Sequence, residues 1–251
     1  MAEAVMLGTG RAVPSPSQEN TYFALVGQLS VLLIDCAGSP YRRLLKARID
    51  PARISALIIT HFHPDHVYGL PSFLLSSWLA GKKTPLDIHG PEAAIERAEQ
   101  MMELYSYGSW RGMFPLQYHA IALTAGAAVL SDEDFEVTAA PGAHFIPAVG
   151  LRVRDRDTGA VFAYSSDTEP TSQIEELARG ARLLIHEATG EGPGHSSAEQ
   201  AGIVAQRAGV QHLALIHYDP AVTPPRQMLR DARRHFGGHV SLARDFRRFE
   251  W

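Results

Sequence analysis

The stretch Ala56-Leu-Ile-Ile-Thr-His-Phe-His-Pro-Asp-His66 joins a short apolar run to a cluster of ionisable side chains. Its first five residues predict a buried strand, because they are apolar or β-branched. A loop at the end of such a strand can point several polar side chains into one cavity. Three imidazoles and one carboxylate within six residues are costly to bury without a cation. The stretch therefore predicts a metal site with four candidate ligands: His61, His63, Asp65 and His66.

Three more candidate ligands lie downstream, each beside the predicted end of a strand. His144 follows the Gly/Pro-punctuated segment 139–143, Asp167 follows the apolar run 161–166, and His217 closes another apolar run. A lone histidine at a strand end is more often a surface or core residue, so only the shared placement of all three indicates one site. Two metal ions about 3.5–4 Å apart would each collect ligands and share a bridging hydroxide. We therefore predict a dinuclear centre.

The composition indicates a soluble, mildly acidic protein. The chain has 251 residues, of which 45% are hydrophobic, and its formal net charge is −4. This length and hydrophobic content suffice for one well-buried core, so we expect a single domain spanning residues 1–251. The charge supplies no broad basic surface of the kind that usually drives nucleic-acid binding.

The single cysteine, Cys36, excludes an intramolecular disulfide and a multi-cysteine zinc site. It closes an apolar run, which favours a small buried residue over a nucleophile. The N-terminus lacks the pattern of a signal peptide, and no apolar run reaches the roughly 20 residues that span a bilayer. We expect a cytoplasmic protein that does not bind a membrane.

Short β-rich runs alternate with helical segments, which favours a layered α/β or α+β domain. Helices are predicted over 91–104, from a capping box at Ser196–Glu199 to Gly209, and from the N-cap Thr223 to His235. The aromatic segment 105–118 would cap the core, line a substrate pocket or form an oligomer interface. Strands are predicted at Val5–Gly8, Tyr22–Val26, Val31–Cys36, Ala56–Thr60, Leu86–His89, Ile121–Leu123, Phe135–Thr138, Gly150–Val153, Val161–Ser165, Leu183–His186 and His212–His217.

Together these motifs resemble the metallo-β-lactamase superfamily, and more narrowly its ribonuclease Z (tRNA 3′-processing endonuclease) branch. The histidine-rich motif is highly specific for the superfamily, and the resemblance extends from Leu7 to Phe246. It implies a four-layer αββα sandwich with the metals at one edge. The segments that support the branch are Leu7-Gly-Thr-Gly10 with Pro14 and Asn20, Asp35-Cys36, Ser166-Asp-Thr168, His186-Glu-Ala-Thr189 and Gly194-His-Ser-Ser197.

The resemblance also implies how the ligands divide between two metal ions. One ion would be bound by His61, His63 and His144, and the other by Asp65, His66 and His217. Asp167 would bridge the two ions. Zinc suits this mixture of imidazole and carboxylate ligands, and manganese or iron would also fit.

Three residues have catalytic roles implied by the resemblance. Asp65 would orient the attacking water or accept its proton, and His195, held by Glu187, would serve the leaving oxygen. A carboxylate beside an imidazole raises its basicity and fixes the ring, so the pair is chemically sensible. His186 is interpreted as a packing residue. The remaining histidines match no motif position and are interpreted as structural or surface residues: His89, His119, His212, His235 and His239.

The chain departs from the ribonuclease Z pattern in lacking the long basic arm that grips tRNA. Only 22 residues separate His144 from Asp167, and they read as a hairpin with strands at 150–154 and 160–164. The usual glycine-rich segment after the aspartate–cysteine pair also differs. The basic stretch Arg244–Arg248 is interpreted as a solvated strand or tail. With the acidic net charge, the missing arm argues against efficient binding of pre-tRNA.

We therefore predict a metal-dependent phosphodiesterase that acts on small or nucleotide-like diesters. A tRNA 3′-endonuclease that recognises RNA by other means, with its homodimer partner contributing, is the alternative. A lactonase, arylsulfatase or β-lactamase-like hydrolase stays open, because a dinuclear centre activates water for many electrophiles. A non-catalytic sensor with a relic site is a hypothesis of another class, against which the intact ligand set argues.

Overall fold

The computed structural model describes residues 2–251. Fourteen strands and seven α-helices are present in this range. The strands are β1 (Glu3–Gly8), β2 (Tyr22–Val26), β3 (Val31–Ile34), β4 (Ile54–Ile58), β5 (Leu86–Pro91), β6 (Leu116–Ile121), β7 (Ala127–Ser131), β8 (Phe135–Pro141), β9 (Val149–Asp155), β10 (Val161–Tyr164), β11 (Leu183–Glu187), β12 (His212–Ile216), β13 (His239–Leu242) and β14 (Arg248–Glu250). The helices are α1 (Pro40–Lys46), α2 (Pro64–Val67), α3 (Leu70–Leu79), α4 (Glu92–Leu104), α5 (Ser172–Leu177), α6 (Ala198–Ala208) and α7 (Pro225–Arg233).

The strands form two seven-stranded sheets with orders β14-β1-β2-β3-β4-β5-β6 and β13-β12-β11-β10-β9-β8-β7. Alternate residues of each strand face opposite sides, because side chains in a strand have a period of two. One set from both sheets fills a shared interior, in which Phe23 of the first sheet contacts Phe162 and Tyr164 of the second edge to face. The sheets therefore pack face to face.

Helices cover the two outer faces. Leu33 and Leu57 of the first sheet pack in one cluster with apolar residues of α1, α3 and α4. Leu184 and Leu213 of the second sheet pack with residues of α5, α6 and α7. The result is the four-layer αββα sandwich that the resemblance implied, so the predicted fold class is confirmed.

The polar residues of interest follow the carboxyl ends of strands. Strands β3 to β6 run parallel to one another, as do β10 to β13. Parallel strands present their carboxyl ends at one edge of a sheet, where open α/β sheets bind ligands. The strand that carries the histidine-rich loop, β4, lies between β3 and β5. Its position fixes the base of the loop.

Most predicted strands are present within a few residues of their expected bounds, and three predictions need correction. The strand predicted at Ile121–Leu123 lies at β6, because this edge strand alternates half-buried and exposed residues and ends where a turn begins. Helix α6 is capped by Ser197 and Gln200, since the hydroxyl of Ser196 donates to a buried carbonyl instead. Helix α7 begins at Pro225, and no side chain caps it.

Two further predictions concern burial and membrane contact. Cys36 is buried, as expected, and burial raises the pKa of its thiol. No helix among residues 2–251 is long and apolar enough to cross a membrane. The stretch Arg244–Arg248 is not a free tail: its last residue begins β14, which pairs with β1 at the edge of the first sheet.

Candidate metal centre

Seven side chains that follow four strand ends converge at one edge of the sandwich. The loop after β4 brings four of them, and the segments after β8, β10 and β12 bring one each. Five groups of ligand atoms, each within 4.8 Å of one another, could hold a metal ion. Two of them include His195, and the other three are His61 with His63 and His144; His61 with His66 and Asp167; and Asp65 with His66 and His217. These last three groups together contain the seven residues predicted from the sequence as ligands.

Asp167 lies at the centre of the cluster. One carboxylate oxygen, Oδ2, lies 3.5 Å from Nε2 of His217, 3.6 Å from Nε2 of His66 and 4.0 Å from Nε2 of His61. The other oxygen, Oδ1, is buried and has no hydrogen-bond partner. The carboxylate therefore touches both halves of the cluster, as a bridging ligand must.

Four of the five histidines have Nδ1 held by a neighbouring group. Nδ1 of His66 donates to the carboxylate of Asp35 at 2.9 Å, and Nδ1 of His144 donates to a backbone carbonyl at 2.7 Å. Threonine hydroxyls, which themselves donate to other oxygens, accept from the Nδ1 of His61 and of His217. Such outer partners fix the tautomer and leave the Nε2 lone pair free for a metal. His63 differs, since its Nδ1 lies 3.0 Å from Nε2 of His144.

Two observations show that the candidate ligand atoms fit divalent metal ions. Nε2 of His61 and Nε2 of His66 are buried without any partner, although buried polar atoms are normally satisfied. Atoms that ligate one four-coordinate ion lie roughly 3.3–3.5 Å apart, given metal–ligand distances of about 2.0–2.2 Å. Oδ2 of Asp65 lies 3.4 Å from Nε2 of His217 and 3.6 Å from Nε2 of His66. These separations are those of a site built for a cation.

The electrostatics of the cluster are consistent with metal binding. Burial lowers the pKa of His61, His63 and His144, so these rings stay neutral, which is the form that ligates a metal. Burial would raise the pKa of Asp167, but the neighbouring imidazoles His217 and His66 overcome this and hold it well below its ordinary value. The central carboxylate is therefore ionised.

Glu187 and His195 form a second polar pair beside the cluster. Nδ1 of His195 donates to Oε1 of the fully buried Glu187 at 2.9 Å. The same carboxylate accepts from the backbone N–H groups of Thr168, Thr189 and Ser196. Four hydrogen bonds hold the glutamate in one orientation, and it in turn fixes the imidazole ring.

A cleft of about 440 Å³ opens onto the cluster. His63, Asp65 and His195 line it together with Arg11 and Phe145. None of the aromatic side chains of segment 105–118, all of which the structure describes, lines this cleft. That segment packs instead on the outer face of the first sheet, where Trp78 and Trp110 stack. Of its three expected roles, the pocket lining is therefore wrong.

The backbone at three strand ends adopts a conformation that is uncommon outside glycine. Asp35, Ser166 and His217 have φ values of 57°, 55° and 56°. Residues in this left-handed region cost of order 1–3 kcal/mol each unless the surrounding structure holds them, and they concentrate at functional sites. Each of the three lies just after a strand, and each is a candidate ligand, the neighbour of one or the partner of one.

A family model described as a beta-lactamase superfamily domain matches residues 31–218. The chain belongs to the beta-lactamase superfamily. A ribonuclease Z of Methanothermobacter thermautotrophicus is 31% identical, and the match covers 94% of this chain and 92% of the relative. This member of the superfamily is therefore a metal-dependent hydrolase similar to ribonuclease Z.

Solved structures of the superfamily agree with this assignment. Human tRNase Z, short form, superposes with a TM-score of 0.82 at 26% identity over 99% of this chain and 98% of that chain. The metallo-β-lactamase fold protein YhfI from Bacillus subtilis gives 0.84 at 20% identity over 100% and 99%, which shows the fold alone. In the present chain, residues 145–166 form only a short loop and the β9–β10 hairpin, so the basic arm is absent between His144 and Asp167.

The superfamily site also contains residues to which the sequence assigned no role. Asp35, Thr60 and Thr189 orient imidazoles, and the carbonyl of Gly194 does the same. Three of them lie inside segments that carried the resemblance, which is the one signal that could have marked them. Arg11 carried no signal. The six histidines interpreted as packing or surface residues lie in none of the candidate metal groups: His89, His119, His186, His212, His235 and His239.

Proposed function

We propose that this hydrolase is a phosphodiesterase that cleaves small or nucleotide-like diesters. The observation that carries the proposal is His195, which is fixed by the buried Glu187 and lines the same cleft as Asp65. Hydrolysis of a diester must expel a poor leaving oxygen, and a positioned imidazole can protonate it. His195 also lies close to the cluster, with Nδ1 4.0 Å from Oδ2 of Asp167, which supports this role.

We assign the two metal sites to the convergent ligands. His61, His63 and His144 would hold one ion, Asp65, His66 and His217 the other, and Asp167 both. Zinc suits this set, since its ligands are nitrogen and carboxylate oxygen. When bound, two such ions lower the pKa of water and neutralise the charge that grows on phosphoryl oxygens.

The chain's own groups then move the protons. Asp65 has one oxygen, Oδ2, facing His66 and His217, which leaves its second oxygen to orient water or accept its proton. Nδ1 of His195 stays protonated because it faces a carboxylate oxygen. The opposite nitrogen, Nε2, is therefore the atom that gives a proton to the leaving oxygen.

Turnover of bis(p-nitrophenyl) phosphate with added zinc or manganese tests the proposal. His63→Ala should abolish turnover, because it removes a ligand. His235→Ala is the matched control: this exposed histidine makes one side-chain hydrogen bond among residues 2–251, to Glu199 at 2.8 Å, and its loss should leave turnover intact. No diester hydrolysis with either metal would refute the proposal. Hydrolysis of a lactone, an aryl sulfate or a β-lactam instead would favour those reactions.

Cleavage of RNA at a tRNA 3′ end is the second candidate function. It is favoured by the relatives named ribonuclease Z, which match nearly the whole chain. The missing arm and the net charge of −4 weigh against it. A competition between pre-tRNA and a generic diester decides: cleavage at the discriminator with the higher kcat/KM for pre-tRNA would favour the ribonuclease.

We also propose that the protein is cytoplasmic and that the whole chain forms one domain that assembles as a homodimer. Large apolar side chains are exposed at the ends of α3 and α4: Leu79 by 69%, Leu104 by 85% and Tyr105 by 58%. Sedimentation equilibrium tests the assembly. A monomer at micromolar concentration, or a dimer that survives Leu104→Glu unchanged, would argue against this face.

A further inference from the structure

Arg11 lines the cleft but has no place in the machinery described above. It lies in the loop after β1, in the same wall as Val13, and faces the cleft that His63 and His195 also line. Its only ion pair among the described residues joins Nη2 to Oδ2 of Asp219 at 3.0 Å. The guanidinium nitrogens therefore lie more than 4.0 Å from the carboxylates of the metal cluster. The arginine marks a separate part of the cleft.

The loop that carries Arg11 is tied to the metal centre. The carbonyl of Thr9 accepts from the backbone N–H of His217 at 3.0 Å. The side chain of Asn20 donates to the carbonyls of Arg11 and Ala12 at 2.7 and 3.1 Å. These bonds fix the backbone of residue 11. Thr9, two residues earlier, contacts His217, which is a candidate metal ligand. The backbone that carries the guanidinium is therefore fixed in place, and Asp219 holds one of its nitrogens.

The guanidinium of Arg11 has an unused donor. Its Nε is buried and has no hydrogen-bond partner. Arginine stays charged in proteins and offers five N–H donors in a planar fork. Although Nε itself is closed off, the side chain as a whole is 31% exposed and lines the cleft, so an anionic oxygen in the cleft can reach the exposed part of the guanidinium. Asp219 occupies Nη2, so the fork is oriented before any ligand arrives.

The rim of the cleft suits an apolar ligand body. Val13 is 67% exposed and Phe145 is 64% exposed, and both line the cleft. The ring of Phe145 lies beside His195, with centroids 6.1 Å apart. A flat apolar group could therefore cover the rim while anionic groups contact the cleft walls at two places.

We propose that Arg11 binds a second anionic group of the substrate, so that the preferred diesters carry another phosphate near the scissile one. The inference rests on the proposed function and names its substrate class: nucleotide-like diesters with an additional phosphate. The metal centre would take the scissile phosphate, and the exposed part of the Arg11 guanidinium would take the other. The base or sugar would lie against Val13 and Phe145.

Binding of thymidine 3′,5′-bisphosphate, compared with thymidine 5′-monophosphate, tests this by calorimetry on the metal-loaded protein. The wild type should bind the bisphosphate roughly 10- to 100-fold more tightly, the factor that one hydrogen bond to a charged group supplies. In Arg11→Met the ratio should fall to about 1. Asp219→Asn, which frees Nη2, should keep the preference. The matched control is Arg226→Met, because Arg226 is an exposed arginine without an ion pair among residues 2–251, and it should keep the wild-type ratio.

An unchanged ratio in Arg11→Met, or no preference in the wild type, would overturn the inference. If Arg11→Met does not fold by circular dichroism, Arg11→Gln decides, since glutamine keeps a polar side chain but not the charge: a reduced ratio supports the inference and an unchanged ratio overturns it. Turnover of bis(p-nitrophenyl) phosphate separates the two failures. Diester turnover without a bisphosphate preference refutes only the role of Arg11, whereas the preference without diester turnover refutes only the proposed function.

Discussion

Replacing Asp35 by asparagine should weaken one of the two metal sites without removing a ligand. The fully buried carboxylate accepts from the backbone N–H of Thr60 at 2.8 Å, from its hydroxyl at 3.0 Å and from Nδ1 of His66 at 2.9 Å. An asparagine amide that keeps its oxygen towards Thr60 turns its NH₂ group towards Nδ1–H of His66. Two donors then face each other.

The magnitude follows from that clash. His66 can relieve it only by moving its proton to Nε2, the atom that faces Asp65 and Asp167 and that must be free of a proton to ligate a metal. Loss of a hydrogen bond to a charged group costs about 1.5–3 kcal/mol. Loss of the outer partner of a metal-bound histidine typically lowers metal affinity 10- to 100-fold. The free-energy cost corresponds to about the same factor, since roughly 1.4 kcal/mol is tenfold in affinity. We expect the ion assigned to His66 to weaken by that factor.

Competition with a chromophoric zinc chelator measures this, with two equivalents resolved in the wild type. The control is Asp87→Asn, which alters a chemically similar pair on the surface, where Oδ1 of Asp87 lies 2.8 Å from Nε2 of His119. It should leave both equivalents unchanged. Asp35→Asn could also bind both equivalents with wild-type affinity. In that case Asp35 does not set the tautomer of His66, and the inference that His66 binds the metal through Nε2 is wrong.

Three further perturbations test other parts of the structure. Glu187→Gln should lower kcat for a diester by about 100-fold or more, the usual range for a general acid, with metal content unchanged; loss of metal would show a structural role instead. Burial, aided by the charge of the neighbouring His119, lowers the pKa of His89 to about 4. Between pH 6.5 and 4, His89 therefore stays neutral in the folded protein but takes up a proton in the unfolded chain. The free energy of unfolding should fall over this range as the pH drops, by up to about 3 kcal/mol. Urea titrations of the metal-free protein should show this loss reduced in His89→Gln; equal losses would contradict the cause. Gly202→Ala should destabilise by about 1–3 kcal/mol, because a Cβ there would lie 2.3 Å from the carbonyl oxygen of Ala232. Gly108→Ala, in open space, is its control.

The sequence predicted the candidate ligands better than it predicted the elements around them. A strand followed by a histidine-rich loop is a local pattern, and the other ligands also follow strand ends that are locally legible. Helix α3 was missed because its apolar residues are spread around the helix and show no clear helical period. Strand β14 was missed because its pairing with β1 joins residues about 245 positions apart. Short strands with distant partners carry little local signal.

The same distinction explains why Arg11 and the outer partners of the histidines escaped prediction. Nothing near residue 11 in the sequence indicates that its loop returns to His217, since that contact is made by the backbone of Thr9. The tautomer of His66 likewise depends on Asp35, which reaches it only because β3 and β4 are parallel neighbours.

The candidate ligands in this fold are thus indicated by local sequence, whereas the orientation of their side chains is set by strand assembly. Asp35, Ser166 and His217 show how closely the two are linked, because each leaves its strand through a left-handed residue that is not glycine. Such backbone persists only where surrounding contacts hold it, and here those contacts include the bonds that orient the imidazoles. A change that relaxes a strand end should therefore reach the metal centre before it unfolds the sheet.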